Sequence, residues 1–306
     1  MKSRKKKLNI GITYGDPSGI GPEILIKTLN SWKKLKLENI KPVIIGSREL
    51  ITSHNHKAKK PSLATGKHSY KCLHDAVFLA REGKIDALIT CPVSKSIISL
   101  YKKNFKGQTD ELAKLYKISP EKVIMLFSSL DLRIALFTRH IPVKDISSKI
   151  NSEKLKNFII LLNLEIKKWF NIRNPKIAIL GLNPHAGEDG LIGSEEKNVI
   201  SPVIKELLSK KIKADGPFSP DAMLAKAGQN YLKGIKQDYD VYVSMYHDQA
   251  LPFFKAVAGF RGLNVTLGLP ILRVSPDHGT AFDIAGKNIA DNTGLVSAVK
   301  FLNNIL

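Results

Sequence analysis

Three histidines in the sequence each follow an apolar run that predicts a buried strand, and these are His140, His185 and His247. Proteins of the α/β class build their sites in loops at the carboxyl ends of strands, so the three side chains could meet there. Neutral imidazoles suit Zn²⁺ and related divalent ions, and a catalytic ion keeps positions open for water or substrate. The pattern favours a metal site that polarises a hydroxyl or carbonyl oxygen over three unrelated loop histidines.

The loop that carries His185 is the most distinctive of the three. Asn183-Pro184 is a pair typical of a turn, and it stops the apolar run just before the histidine. Several glycines follow within the next ten residues. We expect these glycines to let cofactor and substrate approach the backbone.

A second group of polar residues follows His247 at short intervals, namely Lys255, Asn264 and Arg273. Two cations and an amide suit a phosphate or a carboxylate. Solvation at the surface is the alternative interpretation of these residues. It is weaker for Arg273, which lies in an apolar strand where a charge needs a partner.

Apolar runs typical of strands alternate with helical periodicity along most of the chain, which predicts an α/β fold. Helices are predicted over 151–170, with an Asn cap, and over about 195–210. The glycines of 15–23 resemble a dinucleotide-binding loop, but the third glycine is missing, so a tight strand-to-helix turn is an equal alternative. The segment 52–71 is polar and irregular, and we expect its three histidines at the surface.

The composition describes a globular protein long enough for two domains, with 306 residues, 43% hydrophobic and 25% charged. No apolar stretch approaches the ~18 residues that span a bilayer, so no membrane segment is expected. The basic start, residues 1–7, is followed by a stretch too short and polar for a signal peptide, which predicts a cytoplasmic protein. Cys72 and Cys91 lack metal or disulfide spacing.

The net charge of +21 raises the question of nucleic-acid binding. Only eight of the 48 basic residues are arginine, the lysines are spread along the whole chain, and no RNA-binding motif occurs. We therefore expect no nucleic-acid partner, although the positive field should favour anionic small molecules. A nucleic-acid-binding protein and a non-catalytic sugar-phosphate binding module without metal remain the rival classes.

Five motifs together resemble the 4-hydroxythreonine-4-phosphate dehydrogenase family. They are Gly15-Asp-Pro-Ser-Gly-Ile-Gly-Pro-Glu, Cys91-Pro-Val-Ser-Lys, Gly181-Leu-Asn-Pro-His-Ala-Gly-Glu, Tyr246-His-Asp-Gln and Leu267-Gly-Leu-Pro-Ile-Leu-Arg-Val-Ser-Pro-Asp-His-Gly-Thr-Ala. The resemblance implies an isocitrate/isopropylmalate dehydrogenase-like two-domain α/β fold with a central cleft. It also implies an NAD-side domain of residues 1–125 plus 250–306, a metal- and dimer-side domain of 126–249, and a homodimer whose active site lies at the subunit interface.

The resemblance also assigns roles to individual residues. It implies metal ligands contributed by both subunits, and these are His140, His185 and His247. The substrate contacts implied are Gln108, Thr109, Lys255, Asn264 and Arg273. The NAD contacts implied are His278, Gly279, Thr280 and Asp283. Lys255 and Asp221 are the candidates for proton transfer, and the residues alone do not decide between them.

The implied reaction is the NAD- or NADP-dependent oxidation and decarboxylation of 4-phosphohydroxy-L-threonine to 3-amino-2-oxopropyl phosphate, a step of pyridoxal 5'-phosphate (vitamin B6) biosynthesis. A divalent ion (Zn, Mg or Co) would assist it. One departure from the family pattern is Gln108, where the family has histidine, and an amide cannot become cationic. Gln108 therefore keeps an alternative open, a paralogous dehydrogenase of another phosphorylated hydroxy acid such as threonate 4-phosphate.

Overall fold

Strands and helices alternate along the chain, as the sequence predicts, in a computed structural model that describes residues 7–35, 37, 39–46, 58 and 60–306. The basic segment 1–6 and the histidines at 54 and 56 lie outside the described residues. The chain forms two compact units, one from Met1–Val123 with Leu263–Leu306 and the other from Ile124–Gly262. No helix in the described part of the chain is both long and apolar enough to cross a membrane.

The first unit contains the elements at both ends of the chain. It begins with β1 (Leu8–Thr13), α1 (Gly21–Ser31), β2 (Ile40–Ile45), α2 (Leu63–Arg81), β3 (Ala87–Thr90), α3 (Lys95–Tyr101) and α4 (Gln108–Leu115). The second unit follows with β4 (Ile124–Ser129), β5 (Leu132–Leu136), α5 (Ile146–Lys149), α6 (Ser152–Phe170), β6 (Lys176–Leu180), α7 (Ser201–Ser209), β7 (Lys213–Phe218), α8 (Pro220–Leu232), β8 (Val241–Ser244) and α9 (His247–Ala258). The chain returns to the first unit with β9 (Leu263–Leu267), β10 (Leu272–Pro276) and α10 (Thr293–Ile305).

Within each unit, most strands run parallel to their neighbours. In the first unit the strand order is β2-β1-β3-β10-β9, and only β9 runs antiparallel to its neighbour β10. In the second unit the order is β4-β5-β8-β6-β7, and only β4 runs antiparallel to its neighbour β5. Parallel strands deliver the loops at their carboxyl ends to a single edge of the sheet, where α/β proteins carry their sites.

Helix α6 shows how local sequence sets an element. The Asn151 side chain accepts hydrogen bonds from the backbone N–H groups of Glu153 and Lys154, at 3.0 and 3.2 Å, and so caps the helix as predicted. The helix ends at Asn171, whose φ of 54° is left-handed. One apolar face packs into the core, made of Leu155, Phe158, Ile159, Leu162 and Ile166.

The segment 52–71, predicted to be irregular, is partly helical. The Ser62 and Thr65 side chains each accept from the other's backbone N–H, a capping box that starts α2 at Leu63. Of the segment's three histidines, predicted to lie at the surface, the structure describes His68, which is half-buried. Its ring meets that of Tyr14 edge-on at 5.8 Å, and its Nε2 lies 3.5 Å from the sulfur of Cys72.

The return to the first unit comes later than the sequence suggests. Residue 250 was the expected boundary, which would divide α9 between the two domains. Instead the whole helix belongs to the second unit, because Leu251 and Phe254 are buried in the same apolar cluster as Leu224 and Tyr242.

Phe254 offers a test of this packing. Its side chain is fully buried and its ring meets that of Phe127 edge-on at 5.7 Å. Replacing it by alanine should lower the free energy of unfolding by about 3–5 kcal/mol, since a cavity replaces the lost contacts. Phe260, which is 63% exposed, is the matched control, and Phe260→Ala should cost less than about 1 kcal/mol. Urea unfolding followed by circular dichroism measures both, and equal losses would contradict the packing described.

Candidate functional site

The three histidines leave the same edge of the second unit. Strands β5, β8 and β6 are adjacent and parallel, and each of their carboxyl ends runs into a loop or helix start that carries one of them. Side-chain bonds tie these ends together. Thr138 Oγ1 donates to the Met245 carbonyl at 2.6 Å, and Gln249 Nε2 donates to the Gly181 carbonyl at 2.7 Å. Gln249 Oε1 also accepts from the Met245 N–H at 2.8 Å, so the three strand ends form one network.

His140 and His247 form a close pair, with ring centroids 5.5 Å apart. Two imidazoles that bind one ion through bonds of about 2.0–2.1 Å have ring centres about 5 Å apart, so the pair fits a shared divalent cation. The Nδ1 of His247 lies 2.7 Å from Asp248 Oδ1. A carboxylate there accepts a hydrogen bond from the Nδ1–H and would leave Nε2 to bind an ion, the arrangement found behind metal-binding histidines.

His185 lies in a left-handed turn. The φ values of residues 185–189 are 51°, 54°, 81°, 41° and 56°, and only the middle residue is glycine. Each non-glycine residue in this conformation costs on the order of 1 kcal/mol. His185 lines a cavity of about 660 Å³ together with Asp221 and Asp248. The Ser219 hydroxyl donates to Asp221 and lowers the pKa of that carboxyl, with smaller contributions from the Ala222 N–H and from the His185 charge.

Within the described residues, no group of three or more His, Cys, Asp or Glu side chains could hold a metal ion. One chain therefore brings together His140 and His247, while His185 does not complete a set of three with them. Lys255 lies eight residues beyond His247 on α9, about 12 Å along the helix, with its side chain exposed.

Sequence reasoning missed the two acids that support the His185 turn, Glu195 and Glu196. The predicted helix over 195–210 begins as a π-helical turn at Glu196–Ile200 before α7, and such turns are frequent at functional sites. The Glu196 side chain is only 5% exposed. A buried carboxylate needs partners, and an acid next to a turn of orphan N–H groups is the signal that could have found it.

The glycines around His185 make room for these supports. A Cβ on Gly181 would lie 2.9 Å from Glu196 Oε1, and one on Gly187 would lie 2.8 Å from Glu196 Oε2. A Cβ on Gly193 would lie 2.4 Å from Asn183 Nδ2. That the glycines after His185 let ligands approach the backbone stays a prediction, and at Gly187 and Gly193 the position of a Cβ lies against the chain's own polar groups.

In the first unit, Arg273 is buried in β10 and held by neutral oxygens. Its Nε and Nη2 donate to Thr90 Oγ1 at 3.0 and 2.6 Å, and its Nη1 donates to Thr266 Oγ1 at 3.1 Å and to Asn264 Oδ1 at 3.4 Å. Burial lowers the pKa of Arg273 to about 9, which still leaves it cationic at neutral pH. A buried cation among neutral partners favours an anionic ligand.

Gln108 and Thr109 lie at the start of α4, after Gly107 with a φ of 144°. The helix start exposes N–H groups that favour an anion. Gln108 Nε2 donates to the Cys91 carbonyl at 3.4 Å, while its buried Oε1 has no hydrogen-bond partner among the described residues. A Cβ on Gly107 would lie 3.7 Å from the Lys95 ammonium, so a cation also stands at this helix start.

The loop after β10 carries the residues predicted to contact NAD. Ile20 donates its N–H to the Thr280 carbonyl at 2.9 Å, and a Cβ on Gly19 would lie 2.7 Å from the same oxygen. Because Gly19 has no Cβ, the backbones of these two loops can approach each other closely. The His278 Nδ1 lies 3.2 Å from the Gly279 carbonyl, and its buried Nε2 has no partner among the described residues, so it could bind a ligand. The Asp283 side chain is exposed.

Known 4-hydroxythreonine-4-phosphate dehydrogenases resemble this chain over nearly its whole length. A 4-hydroxythreonine-4-phosphate dehydrogenase from Sulfurihydrogenibium sp. (strain YO3AOP1) is 41% identical, over 96% of this chain and 97% of that protein. The crystal structure of a 4-hydroxythreonine-4-phosphate dehydrogenase from Burkholderia phymatum is 29% identical with a TM-score of 0.77, over 98% of both chains. A beta-decarboxylating dehydrogenase from Thermococcus kodakarensis matches in fold alone, with 13% identity and a TM-score of 0.50, over 96% of this chain and 83% of that one.

The predicted α/β dehydrogenase-like fold class and the predicted family are therefore both confirmed. The family model described as pyridoxal phosphate biosynthetic protein PdxA matches residues 12–302, nearly the whole chain. This chain belongs to the pyridoxal phosphate biosynthetic protein PdxA family.

Proposed function

We propose that this chain is a 4-hydroxythreonine-4-phosphate dehydrogenase of pyridoxal 5'-phosphate biosynthesis, which oxidises and decarboxylates 4-phosphohydroxy-L-threonine to 3-amino-2-oxopropyl phosphate. Family membership supports the activity. The observation that carries the chemistry is the His140–His247 pair, with Asp248 bound behind one ring. NAD or NADP as the acceptor, Zn, Mg or Co as the ion, and a cytoplasmic location complete the proposal.

We assign the substrate's phosphate to the cationic groups of the first unit. Arg273 is buried and donates hydrogen bonds to neutral oxygens, so its charge is available to an anion. Asn264 orients the guanidinium through its Oδ1. Thr109 adds a hydroxyl at the start of α4, where the helix dipole also favours negative charge. We assign Lys255 to the same substrate as a further cation.

We assign the end of the substrate that reacts to the histidines. A divalent ion bound there would supply a Lewis acid that polarises the substrate's hydroxyl and stabilises the charge that develops during decarboxylation. Asp248 fixes the tautomer and the ring orientation of His247. Asp221 keeps its carboxyl ionised through the Ser219 hydroxyl, and with Lys255 it is a candidate for proton transfer.

The cofactor's adenosine side is assigned to the loop after β10. Gly279 is exposed and has nothing within 4 Å of where a Cβ would be, so a ligand can approach its backbone. The unpartnered His278 Nε2 can bond to the cofactor, and Asp283 can accept from ribose hydroxyls. The backbone of Thr280 is already fixed by the Ile20 N–H, which keeps this loop in place.

A homodimer with shared sites would make His185 of one chain the third ligand at the site of the other chain. His140 and His247 are paired in one chain, whereas the described residues of that chain contain no three-ligand cluster. In a dimer with two-fold symmetry, a second copy of the chain can supply the missing imidazole to each site. Each dimer would then contain two sites, both of them built from two chains.

The activity itself is tested by following NADH absorbance with enzyme, metal ion, NAD⁺ and 4-phosphohydroxy-L-threonine. His247→Ala should lower kcat/KM by more than about 100-fold, since loss of a ligand costs more than loss of its supporting partner. His74→Ala, which changes an exposed histidine on α2, should stay within about twofold of the wild type. No NADH signal from the wild type, or full activity in His247→Ala, would contradict the proposal. A faster rate with D-threonate 4-phosphate would favour the paralogue that Gln108 suggests.

Arg273 is tested through substrate binding. Arg273→Gln should raise KM by about 10–100-fold with a smaller change in kcat, because a charge-assisted hydrogen bond contributes about 1.5–3 kcal/mol. The control is Arg261→Gln, at an exposed arginine, which should leave KM within about twofold. Circular dichroism checks that both variants are folded. An unchanged KM in folded Arg273→Gln would remove Arg273 from the substrate site.

The shared site is tested with a heterodimer of His140→Ala and His185→Ala chains, isolated through two different affinity tags. If each site takes His140 from one chain and His185 from the other, the heterodimer contains one intact site. Its activity should then be about half that of the wild type, although both parent homodimers are inactive. If all three ligands came from one chain, both sites would lack a ligand and the heterodimer would be inactive.

A further inference from the structure

Two consecutive acids, Glu195 and Glu196, lie against the loops that carry His140 and His185, and the function proposed above gives them no role. Both carboxylates accept hydrogen bonds from backbone or side-chain donors of these loops. Within the described residues neither belongs to a cluster able to hold a metal ion. Their partners therefore indicate what they do.

Glu196 holds the chain at the entry to the left-handed turn. Its Oε1 accepts from the backbone N–H groups of Leu182 and Asn183, both at 2.7 Å. Its Oε2 accepts from Asn183 Nδ2 at 2.9 Å. These donors come immediately before His185, so one buried carboxylate sets the direction in which the turn leaves β6. Gly181 and Gly187 leave the space that this carboxylate occupies.

Glu195 connects that turn with the loop of His140. Its Oε2 accepts from Asn183 Nδ2 at 2.9 Å, and its Oε1 accepts from the Ser147 hydroxyl. Ser147 lies in α5, the short helix a few residues after His140. The Ser147 and Asn183 bonds lower the pKa of Glu195, so the bridge is anionic at neutral pH. One side chain thus fixes two ligand-bearing loops relative to each other.

We propose that Glu195 and Glu196 are positioning residues that hold the His140 and His185 loops of each chain in the arrangement in which the two loops serve the two cation sites of the proposed dimer. The inference rests on the proposed function, because it concerns the same metal site. Ionised carboxylates accept hydrogen bonds and donate none, which suits the donors that surround them. The residues act through the loops and do not contact the ion, as supporting partners of metal ligands do.

The test compares two Glu→Gln changes. Glu196→Gln keeps the size of the side chain but replaces one acceptor oxygen by an NH₂ group, so at least one of its three donors loses its partner. Glu206→Gln is the matched control, since Glu206 is 41% exposed on α7 and pairs with Lys156 and Lys210. The affinity for Co²⁺ or Zn²⁺ is measured on the metal-free, full-length protein by calorimetry or by competition with a chelating dye. Thermal unfolding is recorded in parallel.

We expect Glu196→Gln to weaken metal binding by about 10–100-fold, the usual effect of removing support behind metal ligands. Its kcat at saturating metal should stay within about threefold of the wild type, because the ligands themselves remain. Glu206→Gln should bind the ion within about twofold of the wild type. A purely structural role would lower the unfolding temperature and leave the affinity of the folded protein unchanged, which would overturn the inference.

Glu195→Gln provides a second measurement that does not depend on a fully buried side chain. It should weaken metal binding by about 3–10-fold, because the bridge between the two loops loses its charge while Glu196 still holds the turn. If Glu196→Gln does not fold, this variant decides the question, and an unchanged affinity counts against the inference. A wild-type protein that binds no divalent ion would instead contradict the proposed metal chemistry, so the two failures are distinguishable.

Discussion

The alignment of β5, β8 and β6 is the constraint on which the histidine-bearing edge of the second unit depends. Three parallel neighbours end at one edge, and Thr138 and Gln249 bond those ends across the strands. Strand spacing of about 4.8 Å then brings the following loops within reach of one another. His140 and His247 come from adjacent strands, which is why their rings are only 5.5 Å apart. A shift in strand register would separate this pair before any loop changed.

The charged groups that the structure places at the two candidate sites have opposite signs in the two units. In the first unit Arg273 is buried among the oxygens of Thr90, Thr266 and Asn264, and this buried positive charge favours an anion. In the second unit the Asp248 carboxylate lies behind the His247 imidazole, which favours a cation. The net charge of +21 adds a general attraction for anions but identifies neither site.

The sequence was sufficient for the features that depend on periodicity. It predicted the alternation of strands and helices, the Asn151 cap and the position of each histidine after a strand. It failed where distant residues decide local structure. The bonds of Glu196 span 13 and 14 residues, and helical or strand periodicity does not mark that acid as buried. The boundary after α9 was missed for the same reason, since the burial of Phe254 depends on residues far away in the chain.

The left-handed turn shows why the missed residues matter most. Four non-glycine residues with positive φ cost together about 4–8 kcal/mol, so the isolated segment would not adopt this shape. Three hydrogen bonds to a buried carboxylate contribute about 1.5–3 kcal/mol each, which is enough to offset that cost. The balance is close, so His185 depends on Glu196 for its position.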